Sequence, residues 1–140
     1  ISPTGRGRHP IAVTSGFLFL YSRSQSMLDD SKSGPELDLM HPDPLHRAEA
    51  VHTIRNFTPS LMEAALTDPT PLVRVAALWR MHVRLTVAQL ERALTDPDPG
   101  VRMRAIFRPE TLTIAQLKRA MSDANGLVQQ AAIIKRMRNR

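Results

Sequence analysis

The groups in this chain best able to act on another molecule are cations set at a near-constant interval. Arg80, Arg108 and Lys135 follow one another at spacings of 28 and 27 residues, with Thr53 at the equivalent place before them. Equivalent positions on helices packed about 8–10 Å apart form a column. Three cations in such a column would reach successive phosphates, or an acidic protein surface. Arg84, Arg104, Lys118, Arg119, Arg136, Arg138 and Arg140 enlarge the positive field. The chain carries 19 Lys and Arg against 13 Asp and Glu, for a net charge of +6. The first 38 residues are neutral, because Arg6, Arg8, Arg23 and Lys32 balance Asp29, Asp30, Glu36 and Asp38, so the whole excess lies downstream. The competing account is structural: cations near helix C-termini suit the helix dipole, or form a solvated face.

Other chemistries lack their residues. With no Cys in 140 residues there is no disulfide, thiolate zinc site, iron–sulfur cluster or thiol nucleophile. The five histidines, His9, His41, His46, His52 and His82, make no H-x-x-x-H or H-E-x-x-H pattern. There is no Gly-rich phosphate loop, no G-x-S-x-G and no convergent carboxylate pair. A protein that is not an enzyme and uses no metal or cofactor is expected.

The elements that position the cations announce themselves by their starts. A capping residue followed by Pro or Gly recurs at Asp43-Pro44, Thr70-Pro71, Asp98-Pro99 and Asn125-Gly126, at intervals of 27, 28 and 27. Asp, Thr or Asn accepts from free N–H groups of a first helical turn, and proline at the next position loses no hydrogen bond. Between these lie Thr86-Val87-Ala88-Gln89 and Thr113-Ile114-Ala115-Gln116, both capping boxes, with Leu85/Leu90 and Leu112/Leu117 as hydrophobic staples. Thr58-Pro59 with Phe57 and Met62 is the same device, Leu61 replacing the Gln. Apolar residues then follow at helical spacing: Met62, Ala65, Leu66; Leu90, Ala93, Leu94; Leu117, Ala120, Met121. Each repeat is thus two short helices joined by a turn at Asp68-Pro69, Asp96-Pro97 or Asp123-Ala124. A unit of about 27 residues cannot bury its apolar face alone, so stacked units must share one core. Aromatics are only 4% of the chain, which leaves Leu, Val, Ile, Met and Ala to build that core. Trp79 aligns with His52, Phe107 and Ile134, and this column of large side chains is expected inside it.

The unit at residues 85–109, LTVAQLERALTDPDPGVRMRAIFRP, and its echoes across about residues 36–140 resemble a bacterial HEAT-like repeat of the short kind also described as leucine-rich repeat variants. The D-P-x-x-x-V-R core, Asp68 to Arg74 and Asp96 to Arg102, carries the likeness. His41 stands where the first repeat should have Asp, and Gln129 where the last should have Arg. The resemblance implies an all-α, right-handed α-solenoid of stacked hairpins whose second helices line a concave surface. It also implies a structural ladder of Asp68, Arg74, Asp96 and Arg102 tying neighbouring turns together; the other role for Arg47, Arg74 and Arg102 is phosphate ligation. Such families bind protein or nucleic acid. HEAT-like alkylpurine DNA glycosylases are an enzymatic precedent, but their solenoid is longer and their catalytic Trp, Asp and Arg cannot be placed on this sequence.

The leading expectation is therefore an interaction module that binds a protein partner on a basic concave face through Arg80, Arg84, Arg104, Arg108 and Lys135. The alternative is non-specific nucleic-acid binding through phosphates along the same face. Residues 1–34 form an irregular Ser-, Gly- and Arg-rich leader, either docked on the first repeat or foreign to the fold, preceding a repeat domain at 35–140. Its apolar run, residues 11–21, is shorter than the roughly twenty residues a membrane span takes. No membrane partner and a soluble, cytoplasmic protein are expected. The final helix carries Leu127, Val128, Ala131, Ile133 and Ile134 with no repeat beyond it, which points to a homodimer through that helix or to a longer array.

Overall fold

The repeating dipeptides do open helices. In the computed structural model, which describes residues 34–139, α1 spans Gly34–Leu39 and α2 Pro44–Thr53. They are followed by α3 Pro59–Leu66, α4 Pro71–Leu78, α5 Val87–Leu94, α6 Pro99–Ile106, α7 Ile114–Met121 and α8 Gly126–Arg138. No strand occurs among the described residues, so the fold is all-helical. Of the leader at residues 1–34 only Gly34, the first residue of α1, is described; residues 1–33 and Arg140 lie outside the described residues. No described helix is long and apolar enough to cross a membrane.

The caps are largely those the sequence calls for. Asp43 accepts from the Leu45 amide, Asp98 from Val101, and Asn125 from Leu127 and Val128. Thr58 accepts from the Leu61 amide. Thr86 and Thr113 form complete capping boxes with Gln89 and Gln116. Each such cap is worth about 1 kcal/mol. Thr70 is the exception: its side chain makes no cap bond, and its hydroxyl instead accepts from Arg47 Nη2 at 3.2 Å.

Most of these helices have eight residues, and isolated helices below roughly 12–15 residues are marginal in water. Packing must hold them. Consecutive helices pair as hairpins, α1 with α2, α3 with α4, α5 with α6 and α7 with α8. The second helices also lie against one another in the order α2, α4, α6, α8, whereas the first helices touch their neighbours more sparingly. Equivalent positions fill the interior: Val73, Val101 and Val128, then Ala77, Ala105 and Ala132, are all buried. The small alanines let the second helices approach. Met62, Leu66, Leu90 and Leu94 come in from the first helices, and Phe57, Leu85 and Leu112 seal the loops that precede them.

In the first hairpin two histidines replace this pattern. His46 occupies the place of Val73 and is buried, and His41 occupies the place of Asp68. Their rings stack with centroids 3.9 Å apart. At the other end Val128 and Ala131 of α8 are buried, while Leu127, Ile133, Ile134 and Met137 are exposed.

Candidate functional site

Three polar ladders run across the hairpins, and they decide which cations remain available. The first follows the turns within the hairpins. Arg74 Nε and Nη2 donate to Asp96 Oδ2 and Oδ1 at 2.8 and 2.9 Å, while Nη1 donates to the main-chain oxygen of Asp68 at 2.8 Å. Arg102 repeats this with Asp123 and the Asp96 oxygen. Arg47 repeats it with Asp68 and the His41 oxygen. Each Arg therefore joins its own turn to the carboxylate of the next hairpin, and the residues six apart meet only through a main-chain oxygen. The same carboxylates accept from the amides of Thr70, Asp98 and Asn125. In the first hairpin His41 Nδ1 substitutes, accepting from the Asp43 amide at 3.0 Å. In the last, Gln129 retains only the bond to the Asp123 oxygen. The Arg102 guanidinium holds the Asp123 carboxyl below the usual range, against a smaller opposing effect of burial.

A second ladder joins the first helices. Glu63 accepts from Gln89 Nε2 at 2.8 Å and Arg92 Nη2 at 2.9 Å. Glu91 accepts likewise from Gln116 and Arg119. Arg92 and Arg119 hold these two carboxyls below their ordinary values. The capping-box glutamines thus have a further role that the capping pattern conceals. The signal was present, since Glu63 and Glu91 are in register, as are Gln89 with Gln116 and Arg92 with Arg119. Lys118 stands where the next Glu would be.

The third ladder overturns the column of available cations. Arg80 Nη1 donates back to Val51 O at 2.8 Å and His52 O at 3.2 Å. Arg108 is 0% exposed; its Nη1 donates to Leu78 O and Arg80 O, and its Nη2 to Val83 O. Lys135 Nζ donates to Arg108 O at 2.6 Å and Glu110 O at 3.2 Å. Each cation satisfies carbonyls at the end of the preceding second helix or just beyond it, groups that a helix leaves without internal partners. Arg108 is therefore not a surface anion ligand. It also forms a bidentate pair with Glu110, at 3.1 and 2.8 Å, and Glu110 accepts from the Leu85 amide. Burial pushes the Glu110 carboxyl up, but Arg108 and the Leu85 amide outweigh it and the carboxyl ends below its ordinary value. Burial lowers the Lys135 ammonium, with Glu110 opposing. Arg84 lies at the rim, 3.8 Å from Glu110, with its side chain largely exposed.

The column expected in the core faces outward instead. Trp79 is 52% exposed and Ile134 39%, His52 is exposed, and Phe107 is half-buried. Helical geometry supplies the reason. Leu72, Val75 and Trp79 share one stripe at α4, exposed at Leu72 and Trp79 and half-buried at Val75, whereas Val73, Ala76, Ala77 and Leu78 are buried. Both stripes are apolar, so composition alone does not tell them apart. The positions of that stripe recur as Gly100, Met103 and Phe107 at α6, all half-buried, and as Leu127, Gln130 and Ile134 on α8, all exposed.

Arg104 stands where α4 and α8 have Ala76 and Ala131. Its guanidinium carbon lies 3.8 Å from the centroid of the Trp79 ring and 5.9 Å from that of Phe107. Its Nη2 is 4.0 Å from Met81 Sδ, and its buried Nε has no hydrogen-bond partner among the described residues. Burial, aided by Arg108, lowers its pKa. Among the described residues, no ion pair involves Arg80, Arg104 or Lys135. No group of three His, Asp or Glu among those residues is placed to hold a metal ion. Set against known protein families, curated proteins and solved structures, the chain matches none, so the likeness to HEAT-like repeats rests on its own residues.

Proposed function

We propose that this chain is a non-enzymatic interaction module, a short right-handed HEAT-like α-solenoid that receives a protein partner on its second helices. The observation that carries this reading is the row of large apolar groups left uncovered, with Leu72 and Trp79 exposed at α4 and Ile134 exposed on α8, the two helices packed on either side of α6. Large exposed apolar groups in one patch are the usual signature of an interaction surface. The closer packing of the second helices favours curvature towards that side. The binding face of this proposal is apolar and aromatic with a cationic edge, since the columnar cations are tied to carbonyls.

Peptide-display selection on the full chain, paired with DNA and RNA titration at two salt concentrations, tests the reading. Selected peptides should bind saturably and weaken at least tenfold when Leu72 or Ile134 is changed to Glu, with the helical circular dichroism retained. Nucleic acid should bind feebly. Peptides indifferent to both changes would refute the proposal. So would nucleic-acid binding as the dominant activity, with log K falling against log salt at a slope near about −3, the value for three or four phosphates.

A further inference from the structure

The surroundings of Arg104 say more about the partner. An arginine on a protein surface ordinarily meets a carboxylate, a carbonyl or water. Arg104 has its guanidinium laid on the Trp79 ring, with Phe107 and Met81 beside it, and its Nε is buried without an acceptor among the described residues. Stacking restricts the group and strips part of its hydration, while its Nη donors meet no oxygen acceptor among the described residues. Every other half-buried arginine on the second helices has an oxygen acceptor: Arg47, Arg74 and Arg102 have carboxylates, and Arg80 has carbonyls. Arg104 is the one whose partner is missing among the described residues.

Resting on the function proposed above, we infer that Trp79, Met81, Arg104 and Phe107 form a composite anchor for an acidic–apolar peptide segment, in which an Asp or Glu carboxylate pairs with Arg104 while a neighbouring large apolar side chain covers the exposed part of Trp79. The charge argument identifies the anion. Among the described residues no carboxylate forms an ion pair with Arg80, Arg104 or Lys135; the Glu110 carboxylate acts on Lys135 but is itself bound by Arg108 and the Leu85 amide, so an incoming carboxylate at Arg104 meets no ion-paired competitor there. A planar, oriented guanidinium suits bidentate pairing with a carboxylate, and prior ordering lowers the entropy cost of that pairing. The apolar argument identifies the rest of the segment, because Trp and Arg side by side are the residue types that most often dominate binding energy at interfaces. A phosphate backbone fits less well. It needs a row of solvent-facing cations, and the row at Arg80, Arg108 and Lys135 donates to main-chain oxygens.

The test uses the full chain and the display-selected peptides, each synthesised also with its acids changed to Asn or Gln, together with a single-stranded oligothymidylate. Arg104→Ala is the informative variant, since Ala76 and Ala131 occupy this position in neighbouring hairpins and the change should fold. Acid-containing peptides should dominate the selection. Their amide forms should bind at least tenfold more weakly to the parent and no more weakly than the acids to Arg104→Ala, so the two losses do not add. Arg104→Lys should recover only part of the affinity. Peptides that need Leu72 and Ile134 but ignore both Arg104 and their own acids would overturn this inference and leave the proposed function standing. Oligothymidylate binding that depends on Arg104, with no peptide selected, would overturn both.

Discussion

The two edges of the second-helix row handle positive charge in opposite ways. Along the turns leading into these helices, Arg47, Arg74 and Arg102 each meet a carboxylate of the next hairpin and a main-chain oxygen of their own turn. At the far edge Arg80 and Lys135 meet carbonyls, Arg108 meets both carbonyls and Glu110, and Arg104, among the described residues, meets rings and a thioether. Charge that is matched inside the molecule fixes how hairpins stack. Charge held in place beside apolar groups, without a matching carboxylate, is what an incoming partner can use.

Breaking this contrast should be costliest at Arg108. Removing one member of a buried pair leaves the other charge uncompensated, so Arg108→Ala or Glu110→Ala should destabilise by about 3–5 kcal/mol in urea unfolding. Arg108→Met with Glu110→Leu should lose clearly less than either single change, although the carbonyls of Leu78 and Val83 then lack a donor. Along the turn edge, Asp96→Ala removes the acceptor of both Arg74 and the Asp98 amide, with an expected loss of about 1–3 kcal/mol. Among the first helices, Glu91→Gln disturbs an exposed pair and should change stability by less than about 1 kcal/mol, and less still at high salt.

Titration sharpens the same comparison. Glu110 and Asp123 have lowered folded-state values, so the stability they contribute is present above the ordinary carboxylate range and is lost as pH falls through the depressed values. His41 behaves similarly at higher pH. Burial and His46 lower its pKa, against Asp43 and Asp38, and an unprotonated Nδ1 is needed to accept the Asp43 amide. Its contribution is present above the ordinary imidazole value and is lost as pH falls through the lowered one. Thermal unfolding from pH 8 to 5 should show a decline that His41→Asp, which restores the residue of the other turns, largely removes. An unchanged decline in that variant would place the effect elsewhere.

The helices and their order were legible because capping residues and prolines act locally: Asp43-Pro44 or Thr113 with Gln116 specifies a start whatever the chain does elsewhere. Four members of the turn ladder, Asp68, Arg74, Asp96 and Arg102, stand out in the sequence, but Asp123, the ladder role of Arg47 and the pairing do not, because Asp68 and Arg74 are near in sequence while the Arg47 and Asp68 side chains meet only after two hairpins stack. Arg80, Arg108 and Lys135 do share one register position. Register alone could not show that the carbonyls of the preceding helix end occupy the space where phosphates were expected. The sequence points Trp79 into the core for a related reason: α4 is apolar on both stripes, and only packing against α2 and α6 determines which stripe is covered.

Trp79 is the only tryptophan in the chain, so its fluorescence reports on one place alone. The most direct measurement is quenching of that fluorescence by iodide and by caesium, in the parent and in Arg104→Ala. An exposed indole under an unmatched guanidinium should be quenched efficiently by the anion and poorly by the cation, with the difference largely gone in the variant. An indole resistant to both ions, or one quenched equally by both in the parent, would contradict the account.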